Sequence, residues 1–182
     1  MKNLIYSIIS VATLLASCSI NDLDPAVPNE KDIATNIRNL EDLQGIANGI
    51  YDRMTVTTYY GRNHLIYGEV RADNCFANGK SGRFMSEAAM KVSPDASNGP
   101  WDAMYAVIAS CNIIIGQDAA KLEGDPQKIS QVMGQALIAR AMAHFDLLKL
   151  FGQQHTGGNL GIPYIKEYVS GQTAPARNSV DE

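Results

Sequence analysis

The residues best suited to chemistry lie in one polar stretch, residues 73–99, which is rich in Gly, Ser, Asn and Asp. Aromatic rings within it could stack on the C–H faces of a sugar, while planar amide and guanidinium groups could bond pairs of sugar hydroxyls. The stretch therefore predicts a ligand site, with a plain connecting loop as the alternative interpretation. The candidate stacking rings are Phe76 and Phe84, and the candidate hydroxyl partners are Asp73, Asn74, Asn78 and Arg83.

The sequence does not have the spacings of a catalytic or metal site. Its histidines are not spaced as zinc ligands are. Glu69 and Asp73 are one helical turn apart, an arrangement more typical of solvated charges than of a glycosidase pair. We therefore expect no catalysis, no metal and no cofactor. The three histidines are His64, His144 and His155.

The N-terminus has the pattern of a bacterial export signal. Lys2 precedes an apolar run, Leu4 to Ala16, that is too short to span a membrane. The run ends in Leu-Ala-Ser-Cys, which resembles a lipobox, the motif whose cysteine is acylated and becomes the new N-terminus. We expect residues 1–17 to be a signal peptide and Cys18 to carry lipid; an ordinary signal peptide with a chance cysteine is the alternative.

Residues 18–36 contain two prolines and four acidic residues with little apolar periodicity, which predicts a tether between the lipid and the domain. Asp22 and Asp24 resemble the acidic signal that directs some lipoproteins to the outer cell surface. The net charge of −4 and the lack of a basic patch argue against a nucleic-acid partner. Export would also expose Cys75 and Cys111 to oxidising conditions, although the sequence does not decide whether they pair.

Apolar residues at helical spacing predict an all-α fold. The longest pattern, residues 127–152, is opened by Asp125-Pro126 and closed by Gly152. It is apolar over so much of its circumference that we expect it to be buried between other elements. Further helices are predicted at residues 40–54, 60–72, 86–91 and 100–120.

The short connection between residues 100–120 and 127–152 predicts an antiparallel helical hairpin. The pairs Trp101-x3-Tyr105 and Ala141-x3-Phe145 resemble the large and small positions of tetratricopeptide repeats. We therefore expect these aromatic side chains to be structural, with Trp101 in the core and not a sugar platform. The helix at 40–54 and its follower are interpreted as another such hairpin.

Two polar residues interrupt the apolar faces of this hairpin. Asn112 lies among apolar residues and should need a buried partner. Arg140 is expected to be held by buried carbonyls or a carboxylate, fixing how its helix meets its neighbours. The alternative is an arginine that lays its stem on the core and sends its head to solvent.

The end of the sequence carries a helix-start signal. Ser179 followed three residues later by Glu182 is a capping box, and the chain stops inside the turn that it opens. We therefore expect residues 37–182 to be the N-terminal part of a helical domain that continues beyond residue 182.

Several of these patterns occur in one order that resembles the N-terminal region of the SusD/RagB family of outer-membrane nutrient-binding lipoproteins. The helix with the GxAxxxRAxxxF pattern is the most specific of them. The patterns are Cys18-x3-Asp-Leu-Asp, Trp101-x3-Tyr105-x2-Ile108-x3-Asn112, Gly134-x-Ala136-x3-Arg140-Ala141-x3-Phe145-x2-Leu148-x2-Phe151-Gly152, Gly161-Ile162-Pro163 and Arg177-x-Ser179-x2-Glu182.

The resemblance implies an all-helical fold with tetratricopeptide-like hairpins and a position at the cell outer membrane. It also implies capture of a glycan or peptide and delivery to a SusC-like TonB-dependent transporter, without catalysis. The alternative is a helical scaffold that binds a protein partner and holds no small ligand of its own.

Overall fold

The computed structural model describes residues 36–91, 93–170 and 174–181, which form five α-helices and no β-strand. The expected signal peptide, Cys18 and nearly all of the tether lie outside the described residues. The all-α prediction is confirmed. No helix in the described ranges is long and apolar enough to cross a membrane. The helices are α1 (Leu40–Met54), α2 (Asn63–Arg71), α3 (Met85–Ala88), α4 (Pro94–Ile115) and α5 (Pro126–Phe151), with a 3-10 turn at Ala119–Lys121.

The core is a three-helix packing in which α4 and α5 form the predicted antiparallel hairpin and α1 packs against both. Each helix contributes one apolar stripe, and full burial of one such side chain stabilises the fold by about 1.5–3 kcal/mol. Helix α5 starts as predicted, with the Asp125 side chain accepting from the Gln127 amide. The stripes include Leu43, Ala47 and Ile50 of α1, Met104, Val107, Ile108, Cys111 and Ile114 of α4, and Ile129, Val132, Ala136, Ala139, Ala143 and Leu147 of α5.

The turn between α4 and α5 also positions the start of α1. The Leu40 amide donates to the Glu123 carbonyl at 2.9 Å, and the Glu123 amide donates to the Arg38 carbonyl at 2.9 Å. Gly124 has φ +133°, and a Cβ there would lie 2.8 Å from Leu40 Cβ. Glycine is required at this position both by the backbone conformation and by the close approach of α1.

Helix α4 begins earlier than the sequence analysis predicted, at Pro94 and not Pro100, and it ends at Ile115 and not near Ala120. The sequence contains two competing start signals, and proline at the first helical position is favoured at either. Ser93-Pro94 is the start that the chain uses, so Pro100 lies inside the helix. The polar stretch that precedes α4 is correspondingly shorter than residues 73–99.

The prediction of a second hairpin from residues 40–72 is wrong. Helix α1 packs on α4 and α5, and α2 packs against the short helix α3 instead of lying back along α1. The reason is that the apolar stripe of α1 is fully used by the α4–α5 hairpin. Helix α2 buries only Asn63 and Tyr67, too little to form a second core.

Phe145 does not have the packed position expected for it, since 61% of its surface is exposed. It lies on an exposed apolar strip of α5, which we call the outer face and which turns away from α1 and α4. The ammonium of Lys149 lies 5.8 Å from the Phe145 ring centroid. Periodicity had indicated an all-round apolar helix, but only one side of it is covered. The outer face consists of Leu137, Ile138, Met142 and Phe145.

A buried carboxylate joins the segment between α1 and α2 to α5. Asp146 Oδ2 accepts hydrogen bonds from the hydroxyls of Tyr59 and Tyr60, each at 2.8 Å, and His64 Nε2 lies 3.4 Å from Asp146 Oδ1. Burial, followed by the nearby carboxylate, raises the pKa of Tyr59 far above its ordinary range and that of Tyr60 to about 12. Both phenols are therefore donors to Asp146 at neutral pH. Sequence reasoning missed this cluster.

Replacing Asp146 with alanine should destabilise the full-length protein by about 3 kcal/mol, because the Tyr59 and Tyr60 hydroxyls would lose their acceptor and Tyr59 is fully buried. Asp146→Asn keeps an acceptor oxygen and should therefore reduce the free energy of unfolding by less. Urea denaturation followed by circular dichroism would measure both. An unchanged midpoint in Asp146→Ala would show that the cluster does not stabilise the fold.

Candidate functional site

The predicted ligand residues lie on the connection from α2 to α4 but do not converge. Phe76 is 85% exposed, and the other candidates before residue 84 are exposed as well. Local bonds shape this connection: Asn78 Oδ1 accepts from the Lys80 amide at 3.0 Å. The exposed group consists of Asp73, Asn74, Phe76, Asn78 and Arg83.

Phe84 differs from these residues because its ring is already engaged. It is half-buried and packs edge-on against Tyr67 with the ring centroids 6.1 Å apart. The Arg62 guanidinium lies 5.4 Å from the Phe84 centroid. The backbone of Phe84 has φ +57°, a left-handed conformation that is uncommon for such a side chain. Phe84 therefore anchors the connection to α2, and one ring face at most remains for a ligand.

Residues 161–167, which we call the strap, lie across the α4–α5 hairpin without regular secondary structure. Their backbone is bonded by side chains of both helices. Tyr105 Oη donates to the Pro163 carbonyl at 2.8 Å, and Asn112 Nδ2 donates to the Ile165 and Glu167 carbonyls, each at 3.2 Å. On the other side, Asn178 bonds the strap through Gly161, Ile162 and Tyr164.

Arg140 completes this network from α5. Its Nη1 donates to Asn112 Oδ1 at 2.8 Å and to the Lys166 carbonyl at 3.0 Å. The partners are an amide oxygen and a backbone carbonyl, and no ion pair with a carboxylate is found for Arg140 in the described part of the chain. The guanidinium thus links α5, α4 and the strap at one point.

His144, one turn after Arg140, also bonds the strap. Its Nδ1 lies 2.9 Å from the Arg140 carbonyl, and its Nε2 accepts from the Ile165 amide at 3.3 Å. These partners require a neutral ring with its proton on Nδ1. Burial is the main cause that lowers the pKa of His144 below its ordinary value. The sequence analysis had assigned no structural partner to His144.

A cavity of about 580 Å³ lies between α4 and the strap. Trp101 is half-buried at its edge, with its ring centroid 4.9 Å from Tyr105 and 5.0 Å from Phe151. Trp101 therefore packs against the core and also faces the cavity. The sequence analysis placed Trp101 in the core alone. It missed the cavity because the second wall is the strap, which has no regular secondary structure. The lining residues are Trp101, Asp102, Tyr105, Ile108, Ala109, Pro163, Ile165, Glu167, Val169, Ala174 and Pro175.

The two described cysteines are free thiols: Cys75 is exposed, and Cys111 is buried in the core. They do not form the disulfide that the sequence left open. Burial raises the pKa of the Cys111 thiol to about 11, so it is unreactive at neutral pH. Within the ranges that the structure describes, no three His, Cys, Asp or Glu side chains are grouped as metal ligands would be.

The helical hairpin and its strap define a tetratricopeptide-like helical protein. Comparison with known proteins identifies its family. Residues 23–182 match the SusD-like family described as starch-binding and associating with the outer membrane. The chain belongs to this family, which confirms the resemblance seen in its motifs.

Individual relatives agree with this assignment. SusD-like protein P2 of Formosa agariphila is 28% identical over 171 residues, covering 91% of this chain and 32% of its own length. Crystal structures of a candidate sugar-binding protein and of a SusD superfamily protein, both from Bacteroides vulgatus, each match with a TM-score of 0.70. They are 31% and 27% identical and cover 80% and 79% of this chain. The chain spans about a third of the length of these relatives.

Acidification should destabilise the protein below pH 6.5, because the unfolded chain then binds protons at His144 that the folded state resists. The contribution of neutral His144 to the free energy of unfolding is fully present above the pKa that histidine has in the unfolded chain. This contribution is lost as the pH falls toward the lower pKa of His144 in the folded protein. His144→Gln should reduce this loss of stability in acid. Part of the loss should remain, because burial also lowers the pKa of His64. Melting curves recorded between about pH 5 and 8, a range that brackets the ordinary histidine pKa, would measure how the melting temperature depends on pH.

The matched control is His155→Gln, since His155 is exposed. This control should keep the wild-type acid dependence. If the melting temperatures of the His144 and His155 variants depended on pH in the same way, His144 would not be a source of the acid dependence.

Proposed function

We propose that this chain is part of a cell-surface lipoprotein that binds a nutrient glycan and delivers it to a SusC-like TonB-dependent transporter, without catalysis. The observation that carries the proposal is the match of residues 23–182 to a starch-binding family that associates with the outer membrane. The rigid helical body suits such a role, because a fixed scaffold can present loops to a polymer.

Anchoring at the outer membrane is assigned to Cys18, following removal of residues 1–17. The Leu-Ala-Ser-Cys ending supports this assignment. Lipid chains contribute about 0.8 kcal/mol of membrane affinity per buried methylene, so more than one chain is needed for stable anchoring. The acidic tether after Cys18 would then hold the helical body away from the membrane.

Glycan contacts are proposed on the connection between α2 and α4. The exposed ring of Phe76 suits stacking, and the exposed guanidinium of Arg83 suits pairs of hydroxyls. Asp73, Asn74 and Asn78 are further hydroxyl partners. Phe84 is a weaker candidate than the sequence indicated, because Tyr67 and Arg62 already contact its ring.

A second candidate function is a scaffold that binds a protein partner. The observation that favours it is the outer face of α5, where four large apolar side chains are exposed along one side of a helix. Contiguous exposed apolar surface commonly marks a protein–protein contact. Both functions could coexist, since the two surfaces are formed by different elements.

Phe76→Ala and Arg83→Ala in the full-length protein should weaken glycan binding several-fold, because a stacked ring contributes about 0.5–1.5 kcal/mol beyond its area. Their melting temperatures should stay nearly unchanged, since both side chains are exposed. A glycan array followed by calorimetry would identify and measure the ligand. Glu69→Ala, an exposed change on α2, is the control. If both loop variants bound the glycan as the wild type does, Phe76 and Arg83 would not be part of the glycan site.

Cys18→Ser should abolish lipidation, so that the protein is released in soluble form or the precursor remains uncut. Fractionation of cells and mass spectrometry of the N-terminus would distinguish these outcomes. Ser17→Ala keeps the cysteine and a small residue before it, and it should be retained like the wild type. Unchanged membrane retention of Cys18→Ser would contradict lipid anchoring at this residue.

A further inference from the structure

We infer that the cavity between α4 and the strap is a subsite for a neutral saccharide, separate from the loop residues proposed above. This inference rests on the proposed glycan binding and adds a location and a chemical class. Its parts are one fixed aromatic ring and two carboxylates on opposite walls. They are Trp101 and Asp102 from α4 and Glu167 from the strap.

The size and the aromatic wall of the cavity suit a sugar. A volume of about 580 Å³ falls within the range of small-molecule sites. The Trp101 indole is held between Tyr105 and Phe151, with centroid distances of 4.9 Å and 5.0 Å, yet it remains partly exposed at the cavity. A ring that is immobilised before the ligand arrives loses little conformational entropy on binding.

The two carboxylates supply the polar contacts. Asp102 and Glu167 are both exposed, and neither carboxylate has a hydrogen bond or ion pair within the described ranges. An ionised carboxylate is an acceptor with two oxygens, so it can bind neighbouring hydroxyls of one sugar ring. The Glu167 backbone is itself fixed, because Asn112 donates to its carbonyl at 3.2 Å.

The charge of the cavity selects against acidic sugars. Among the described residues that line it, none is Lys or Arg. Arg177 is close enough to act on Tyr105 electrostatically, but its guanidinium donates to the carbonyls of Gly161 and Phe151. A uronic or sulfated sugar would therefore meet two carboxylates on the cavity walls and one cation, Arg177, whose guanidinium hydrogens are directed at backbone carbonyls, whereas a neutral sugar presents only hydroxyls.

The test is calorimetric titration of the full-length protein with hexasaccharides of α-1,4-glucan, β-1,4-xylan and β-1,4-mannan, and with the acidic α-1,4-galacturonan hexamer. At least one neutral oligomer should bind, and it should bind more tightly than galacturonan. Asp102→Asn and Glu167→Gln should each weaken that neutral oligomer about fivefold, since each replaces a charged acceptor by a neutral one. The double variant should bind galacturonan more tightly than the wild type does.

Glu69→Gln, which removes an exposed charge on α2, should leave the neutral affinity unchanged. If no neutral oligomer binds the wild type, the subsite is overturned; the proposed function fails with it only if the glycan array also yields no ligand. If a neutral oligomer binds and both cavity variants bind it like the wild type, the subsite is overturned and glycan binding stands elsewhere. Tighter binding of galacturonan than of every neutral oligomer would also overturn the subsite.

Discussion

The structure depends on how the strap satisfies its backbone polar groups. Buried amides and carbonyls need partners, and an irregular segment lying on two helices has no sheet to supply them. The hairpin supplies side chains instead: Tyr105 and Asn112 from α4, and Arg140 and His144 from α5. The polar residues that interrupt two apolar helix faces are therefore the groups that hold the strap in place.

The same bonds connect the fold to its cavity. Tyr105 and Asn112 are two helical turns apart, so they bond the strap at points well separated along α4. Arg140 bonds Asn112 as well as the strap, so the relative position of α4 and α5 is coupled to the cavity wall. A change in the register of the hairpin would therefore also displace Glu167.

The sequence could predict what periodicity and end signals encode: the helices, the α4–α5 hairpin, and the need of Asn112 and Arg140 for partners. It could not name those partners, because an irregular strap has no period that reveals its course. It also could not tell which side of α5 is covered, so Phe145 was misplaced. A buried carboxylate such as Asp146 leaves no pattern, since its tyrosine partners lie more than eighty positions away.

The two candidate ligand regions differ in how their side chains are held. The connection from α2 to α4 presents exposed side chains, with Phe84 as an anchor to α2. Fixing exposed side chains on a ligand opposes binding through lost rotamer entropy. The cavity beside Trp101 has walls that are already fixed by packing and hydrogen bonds. A ligand in the cavity would therefore meet a ring and a backbone that are already fixed, whereas a ligand on the connection would have to fix exposed side chains.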